Sequence, residues 1–141
     1  MIIYVNKTIP KQPPEKEYGN KEYKRFLFFN NENKRKIKLK EFYEKRATQM
    51  LYRLCEGNGK AIYLLGIEDD GKIIGMTSDE MDFTLNHLTS IVKKIDAKIK
   101  MIRVYNGGKG YVCSVRIFLP DNILKEKMGN LLIYWFCCKL I

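Results

Sequence analysis

Apolar residues along the chain recur with two different periods, and the alternation of those periods outlines the fold. "KEYKRFLFF", Lys21 to Phe29, is rich in aromatics and partly alternating, which predicts a first strand, and the polar run "NNENKRK" breaks it. From about Lys38 to Cys55, Leu39, Phe42 or Tyr43, Ala47, Met50, Leu51 and Leu54 fall at three- and four-residue spacing, the pattern of a helix with one buried face. Gly57 stands where a helix C-terminal glycine is expected. An unbroken apolar run, Ala61 to Ile67, then meets Asp69-Asp70-Gly71 and resumes as Ile73, Ile74 and Met76, which predicts a hairpin around an Asp-Gly turn. The first arm lacks polar alternation, so both of its faces are expected to be covered. Thr77 and Glu80 have capping-box spacing and open a second helix to about Asp96, striped by Met81, Leu85, Leu88, Val92 and Ile95. Alternation returns from Ile99 to Tyr105, "NGGKG" turns the chain, and Tyr111, Cys113, Val115, Ile117 and Leu119 line one face of a last strand that Pro120 ends.

The order strand, helix, strand, strand, helix, strand, strand implies an α+β domain, with two helices packed on one face of a four- to five-stranded mixed sheet. Residues 1–20, with Pro10, Pro13, Pro14 and Gly19-Asn20, are expected to form a flexible leader without a helix or central strand. Residues 21–120 are expected to form the domain, and 121–141 either the start of a further, interrupted domain or an apolar tail. A chain of 141 residues with 45% hydrophobic content has enough apolar material for one core and not for two.

Charge narrows the partners. Twenty-six Lys+Arg against sixteen Asp+Glu leave a formal +10, which favours nucleic acid, ribosome or an acidic surface. Arg25, Lys34, Arg35, Lys36, Lys38 and Lys40 form the densest basic stretch. With Tyr23, Phe26, Phe28 and Phe29 interleaved, it is the candidate nucleic-acid contact, although aromatics turned to the core and solvated lysines are the competing account. The signature aromatic motifs of an RRM are absent. The terminal apolar run from Leu131 is too short to span a bilayer and contains Lys139, so no membrane is implied. No basic-then-apolar signal segment opens the chain, and the cytoplasm is the expected compartment.

Catalytic chemistry is sparse. Cys55, Cys113, Cys137 and Cys138 lack metal-ligand spacing, and only His87 could join them. His87 reads as an ordinary, partly exposed helix residue. Glu68, Asp69 and Asp70 read as a solvated hairpin tip, against a metal-dependent nuclease site. "EGNGK" and "NGGKG" resemble phosphate cradles, but neither is expected to run from a strand into a helix.

"EYGNKEYKRFL", "RATQMLYRLCEGNGKAIYLLGIEDDGKIIGMTSDEM", "LNHLTSIVKKIDAKI" and "VRIFLPDN" together resemble the region before the GTPase domain in the GTP-binding protein 1 and 2 family, relatives of elongation factor Tu. The resemblance covers about residues 15 to 130. It implies that the full gene product binds and hydrolyses GTP with magnesium, in translation elongation or RNA surveillance. The part present here would be an accessory domain contacting RNA, ribosome or the GTPase domain, with no cofactor of its own. The "AIYLLGIEDDGKIIG" stretch alone is also similar to Schlafen AlbA-like domains, which leaves a stand-alone nucleic-acid-binding module as the alternative.

In the family, Gly129-Asn130 would begin a phosphate loop, a glycine followed by four residues and Gly-Lys-Ser/Thr. Tyr134 and Trp135 stand where the second glycine and lysine belong, and the complete motif is absent. The resemblance therefore implies that "LLIYWFCCKLI" lies beyond an interrupted reading of the GTPase domain; the alternative is a short apolar element docked on this domain's own core. No catalytic residue is assigned, and the chain itself is expected not to hydrolyse GTP.

Overall fold

The longer of the two predicted helices forms from Lys36 to Glu56 (α1), a little beyond both expected ends. The computed structural model describes residues 1–27, 36–127 and 129. Ala47, Met50 and Leu54 of α1 are buried, as their spacing requires, with Phe42, Tyr43 and Leu51 packed beside them. The helix ends one residue later than its sequence pattern predicts. Asn58, not Gly57, adopts the left-handed conformation at φ 53°. Its amide bonds to Cys55 O, and the Gly59 amide reaches Leu54 O at 2.7 Å, the paired bonds of a Schellman stop. Gly59 follows at φ 92°, where a Cβ would meet Leu119 O at 2.6 Å, so the stop and the strand entry both need glycine there.

Five strands form one mixed sheet: β1 Ile2–Thr8, β2 Lys21–Lys24, β3 Lys60–Leu65, β4 Lys98–Gly107 and β5 Gly110–Phe118. Their spatial order is β1-β4-β5-β3-β2, with antiparallel pairs at the centre and a parallel pair at each edge. The β2–β3 pair is parallel because α1 supplies the crossover between them. β4 and β5 form the expected hairpin, closing at Gly107 opposite Gly110. Helix α2, Ser78–Lys94, opens with the capping box anticipated: Thr77 Oγ1 accepts from the Glu80 amide and the Glu80 carboxylate accepts from the Thr77 amide. A short helix, α3, spans 121–127.

The α+β architecture stands, with two corrections to which segments make the strands. The prolines of residues 1–20 predict a leader outside the domain, yet Ile2–Thr8 pairs with β4 at the sheet edge, an edge position being one the nearby prolines permit. The second hairpin arm after Gly71 is not a strand. It keeps only single bridges, Ile67 to Ile73 and Met76 to Tyr111, because the chain turns away to meet the β4–β5 hairpin end. The Asp-Gly turn itself forms, with the Glu68 amide to Lys72 O at 2.9 Å and Gly71 at φ 93°.

The core lies between the sheet and α1, α2 and α3, filled by residues such as Met50, Leu54, Leu65, Leu88 and Val115, with Leu124 of α3 at its margin. A smaller cluster, Ile9, Tyr23, Leu64, Ile67 and Val112, lies on the opposite sheet face, where residues from Ile9 onward fold over it. Around Tyr63 to Leu65 both faces of β3 are thus covered, as the unbroken apolar run predicts, whereas Lys60 at its start is exposed. Among the described residues, no helix is long and apolar enough to cross a membrane.

Leu88 is fully buried, so Leu88→Ala is expected to cost about 3 kcal/mol. Thr77→Ala, which removes a cap bond, should cost about 1 kcal/mol. Urea titrations followed by circular dichroism test both, with an unchanged slope marking a loss of stability rather than of fold.

Candidate functional site

The alternation of β2 sends Tyr23 to the smaller cluster and Glu22 beneath α1, where the residue is 1% exposed. Opposite it sits Arg53, three residues after Met50 on the buried side of the helix and only 5% exposed. Its guanidinium is held chiefly by backbone. Nη1 donates to Tyr18 O at 3.1 Å and Gly19 O at 2.9 Å, and Nη2 to Lys16 O at 2.9 Å. Glu22 Oε2 lies 3.4 Å from Nη2, and Glu15 Oε1 lies at 4.0 Å. The other Glu15 oxygen accepts from the Tyr23 amide. Tyr52 adds a hydrogen bond to Glu17 O at 2.9 Å, and Asn20 Nδ2 one to Lys60 O at 3.1 Å. One arginine therefore binds the 15–22 segment to α1 and so positions β2.

Because the guanidinium is committed to three carbonyls, it neutralises Glu22 only in part. Burial, followed by a hydrogen bond with Glu15, pushes the Glu22 carboxyl up to about 7, while Lys24 and Arg53 oppose the rise. Burial also lowers Lys24 and raises the Tyr63 hydroxyl well above its ordinary range. The Tyr63 hydroxyl, Arg46 Nε and Gln49 Oε1 are buried with no hydrogen-bond partner among the described residues. A groove of about 1200 Å³ runs along α1 past Arg46 and Gln49, and its walls mix Glu41 and Glu44 with Lys45, Arg46 and Lys94. Mixed signs of this kind give no preference for an anion or a cation.

The basic stretch singled out in the sequence is only partly described. Lys34, Arg35 and Asn130 lie outside the described residues, as do Phe28, Phe29 and the 131–141 run. Lys36 and Lys38 are in the first turn of α1. Arg25 is exposed, pairs with Glu68 at 3.4 Å and lies over the Phe26 ring at 5.5 Å; Lys40 is exposed and pairs with Glu44 at 3.9 Å. Tyr23, one of the interleaved aromatics, is buried and donates to Pro13 O, so it presents no stacking face. Gly129 is helical and exposed.

The remaining candidates are absorbed by structure. Asp70 Oδ1 accepts from the Lys72 amide within its own turn, and Glu68 pairs with Arg25. Among the described residues, no three His, Cys, Asp or Glu side chains group to hold a metal. His87 is half-buried; its Nδ1 is hydrogen-bonded to the Tyr43 hydroxyl across the α1–α2 contact, and burial lowers its pKa. Cys113 is fully buried, its thiol pushed up to about 12. Gly66, Gly71 and Lys72 do have the spacing of a phosphate loop's two glycines and lysine. Ile73 replaces the hydroxyl residue, however, and the segment closes into a carboxylate-tipped turn rather than opening a helix. Arg53 and Glu22 were missed by sequence reasoning; the signal was an arginine flanked by Met50, Leu51 and Leu54 on an apolar stripe.

Comparison with known proteins finds GTP-binding protein 2 of mouse and of human, each 37% identical over 94 residues. GTP-binding protein 1 of Xenopus laevis is 31% identical over 88 residues. The first two alignments cover 67% of this chain but 14% of those proteins, so the chain corresponds to a small part of the relatives it matches. No protein-family model matches the chain, and no solved structure matches it significantly.

Glu22 has its folded pKa raised, to about 7 from 4.5. Its contribution to stability is therefore complete below about pH 4.5 and is lost as pH rises through 7. Glu22→Gln is expected to flatten that dependence and to raise the melting temperature relative to the unaltered chain at pH 8 more than at pH 5. Removing the buried cation by Arg53→Met should cost roughly 3–5 kcal/mol, and limited proteolysis should then cut within residues 15–20.

Proposed function

We propose that the chain, a partial match to the GTP-binding protein 1 and 2 family over about 94 residues, is the N-terminal accessory domain of a translational GTPase. The observation that carries this reading is the shared segment itself, which takes up two thirds of this chain and a seventh of its relatives. GTP binding and hydrolysis, with magnesium, would belong to the whole protein and to a role in translation elongation or RNA surveillance. The domain's own contribution would be contact with RNA, the ribosome or the GTPase domain.

Several features support a binding role over a catalytic one. The single histidine is engaged with Tyr43, the acidic turn is spent on its own backbone, and the one loop with phosphate-loop spacing is a closed turn. The formal +10 favours an anionic partner, to which lysines and arginines contribute mainly by releasing condensed counterions. Arg25, Lys34, Arg35, Lys36, Lys38 and Lys40 would supply that contact. Arg25 and Lys40 can exchange their exposed carboxylate partners for phosphate at little cost, since such surface pairs contribute little.

The purified chain is expected to turn over GTP no faster than a buffer blank in a phosphate-release assay. Reversing Arg25, Lys36, Lys38 and Lys40 to Glu together is expected to weaken RNA or ribosome sedimentation at low salt by roughly tenfold. Unchanged sedimentation would remove that stretch from the contact.

A further inference from the structure

We propose that a second cationic surface, distinct from the basic stretch around the start of α1, binds a single-stranded nucleic acid: the open half of the helix-free sheet face. The proposal shares with the reading above only the class of partner.

Strand register places the residues. Ile117 and Val115 of β5 face the helices, so their neighbours Phe118 and Arg116 face away. Opposite them on β4 stand Lys98, paired with Phe118, and Met101, paired with Arg116; Arg103 follows opposite Ser114. On β3, Lys60 pairs with Phe118 and Ile62 with Arg116, and Lys21 of β2 continues the row beside Ile62. Lys100 sits in the bulge between Ile99 and Met101 and swings its Nζ to 4.9 Å from the centre of the Phe118 ring. The sheet thereby gathers Lys21, Lys60, Lys98, Lys100, Arg103 and Arg116 from four strands onto one face, around Ile62, Met101 and Phe118.

Two features distinguish this face from a solvated lysine surface. First, none of the six cations makes an ion pair or a side-chain hydrogen bond with any described residue, whereas Arg25, Lys40, Arg53 and Lys109 each face a carboxylate. No strand position on this face is acidic. Second, the described helices contribute to the core on the other side, and the segment from Ile9 covers only the half of this face around Leu64 and Val112. Phe118, Met101 and Ile62 remain half-exposed among the charges.

Charge complementarity selects the occupant. Unpaired cations spread over adjacent strands suit a run of phosphates, and a half-exposed aromatic at their centre suits the face of an unpaired base. An open sheet face is also a platform on which unstacked bases can lie, which a duplex cannot offer.

The test uses the 141-residue chain and a short fluorescein-labelled oligouridine, read by fluorescence anisotropy across a salt series. Changing Lys98, Lys100 and Arg116 together to Gln is expected to weaken binding about tenfold at low salt. The same change should reduce the slope of log affinity against log salt by about 2, at roughly 0.7 for each phosphate no longer neutralised. Phe118→Ala is expected to weaken binding about tenfold through the removal of base stacking. The three exposed Gln substitutions keep the test independent of Phe118, whose truncation touches strand packing; circular dichroism confirms the fold of each. Binding unchanged by the Gln set but abolished on reversing Arg25, Lys36, Lys38 and Lys40 would overturn this face and leave the earlier contact standing. Equal binding to duplex RNA, stronger binding to phosphatidylserine vesicles, or no oligouridine binding by the unaltered chain would also overturn it.

Discussion

Burying a guanidinium beneath a helix is costly unless each of its donors finds an acceptor, and Arg53 finds its acceptors in backbone carbonyls of the 16–19 segment. Much of the molecule follows from that requirement. The segment must run along α1, so β2 starts at Lys21 beside β3 and Glu22 points inward. Residues ahead of it are then placed to cross the sheet, where Gln12 and Pro13 approach Gly71 so closely that a Cβ there would lie 2.4 Å from Gln12 O. Ile9 closes the smaller cluster, and its amide bonds to Asn106 O. One buried cation thus fixes how the N-terminal strands join a sheet whose centre is built from later residues.

The crossing is also what makes the two halves of the helix-free face unequal. Where the 9–15 stretch lies, the strands present Leu64, Val112 and Tyr23, and the face is apolar and covered. Where it does not, they present lysine and arginine around Phe118. The same strands therefore serve as core on one half and as charged surface on the other, and the division follows the path of a backbone segment rather than any change in strand geometry.

The family segment and the structure inform each other at different scales. Identity of 37% over 94 residues places the chain beside GTP-binding protein 2, while 14% coverage of that protein leaves most of it unmatched. Within the described residues several polar groups hold the fold together: Glu80 caps α2 and pairs with Lys109, His87 bridges two helices, and Glu15 and Glu22 surround Arg53. Lys21, Lys60, Lys98, Lys100, Arg103 and Arg116 stay outside every ion pair among the described residues.

The sequence by itself determined the elements whose cause is local. Both long helices follow from apolar spacing, the α2 start from Thr77 and Glu80, the Asp-Gly turn from its residues, and the β4–β5 hairpin from alternation around a glycine-rich turn, because each depends on neighbours a few positions away. Tertiary structure alone decided the parallel pairing of β1 with β4 and of β2 with β3, which joins segments far apart in the chain. It also decided that Ile73–Met76 would turn aside instead of forming a strand. Arg53 was legible only as a charge among apolar neighbours, since the carbonyls that satisfy it belong to a segment more than thirty residues away. The six cations of the open sheet face were invisible as a set for the same reason: period-two alternation tells which residues share a face of one strand, but strand order and register bring four strands together, and those are fixed by packing at a distance.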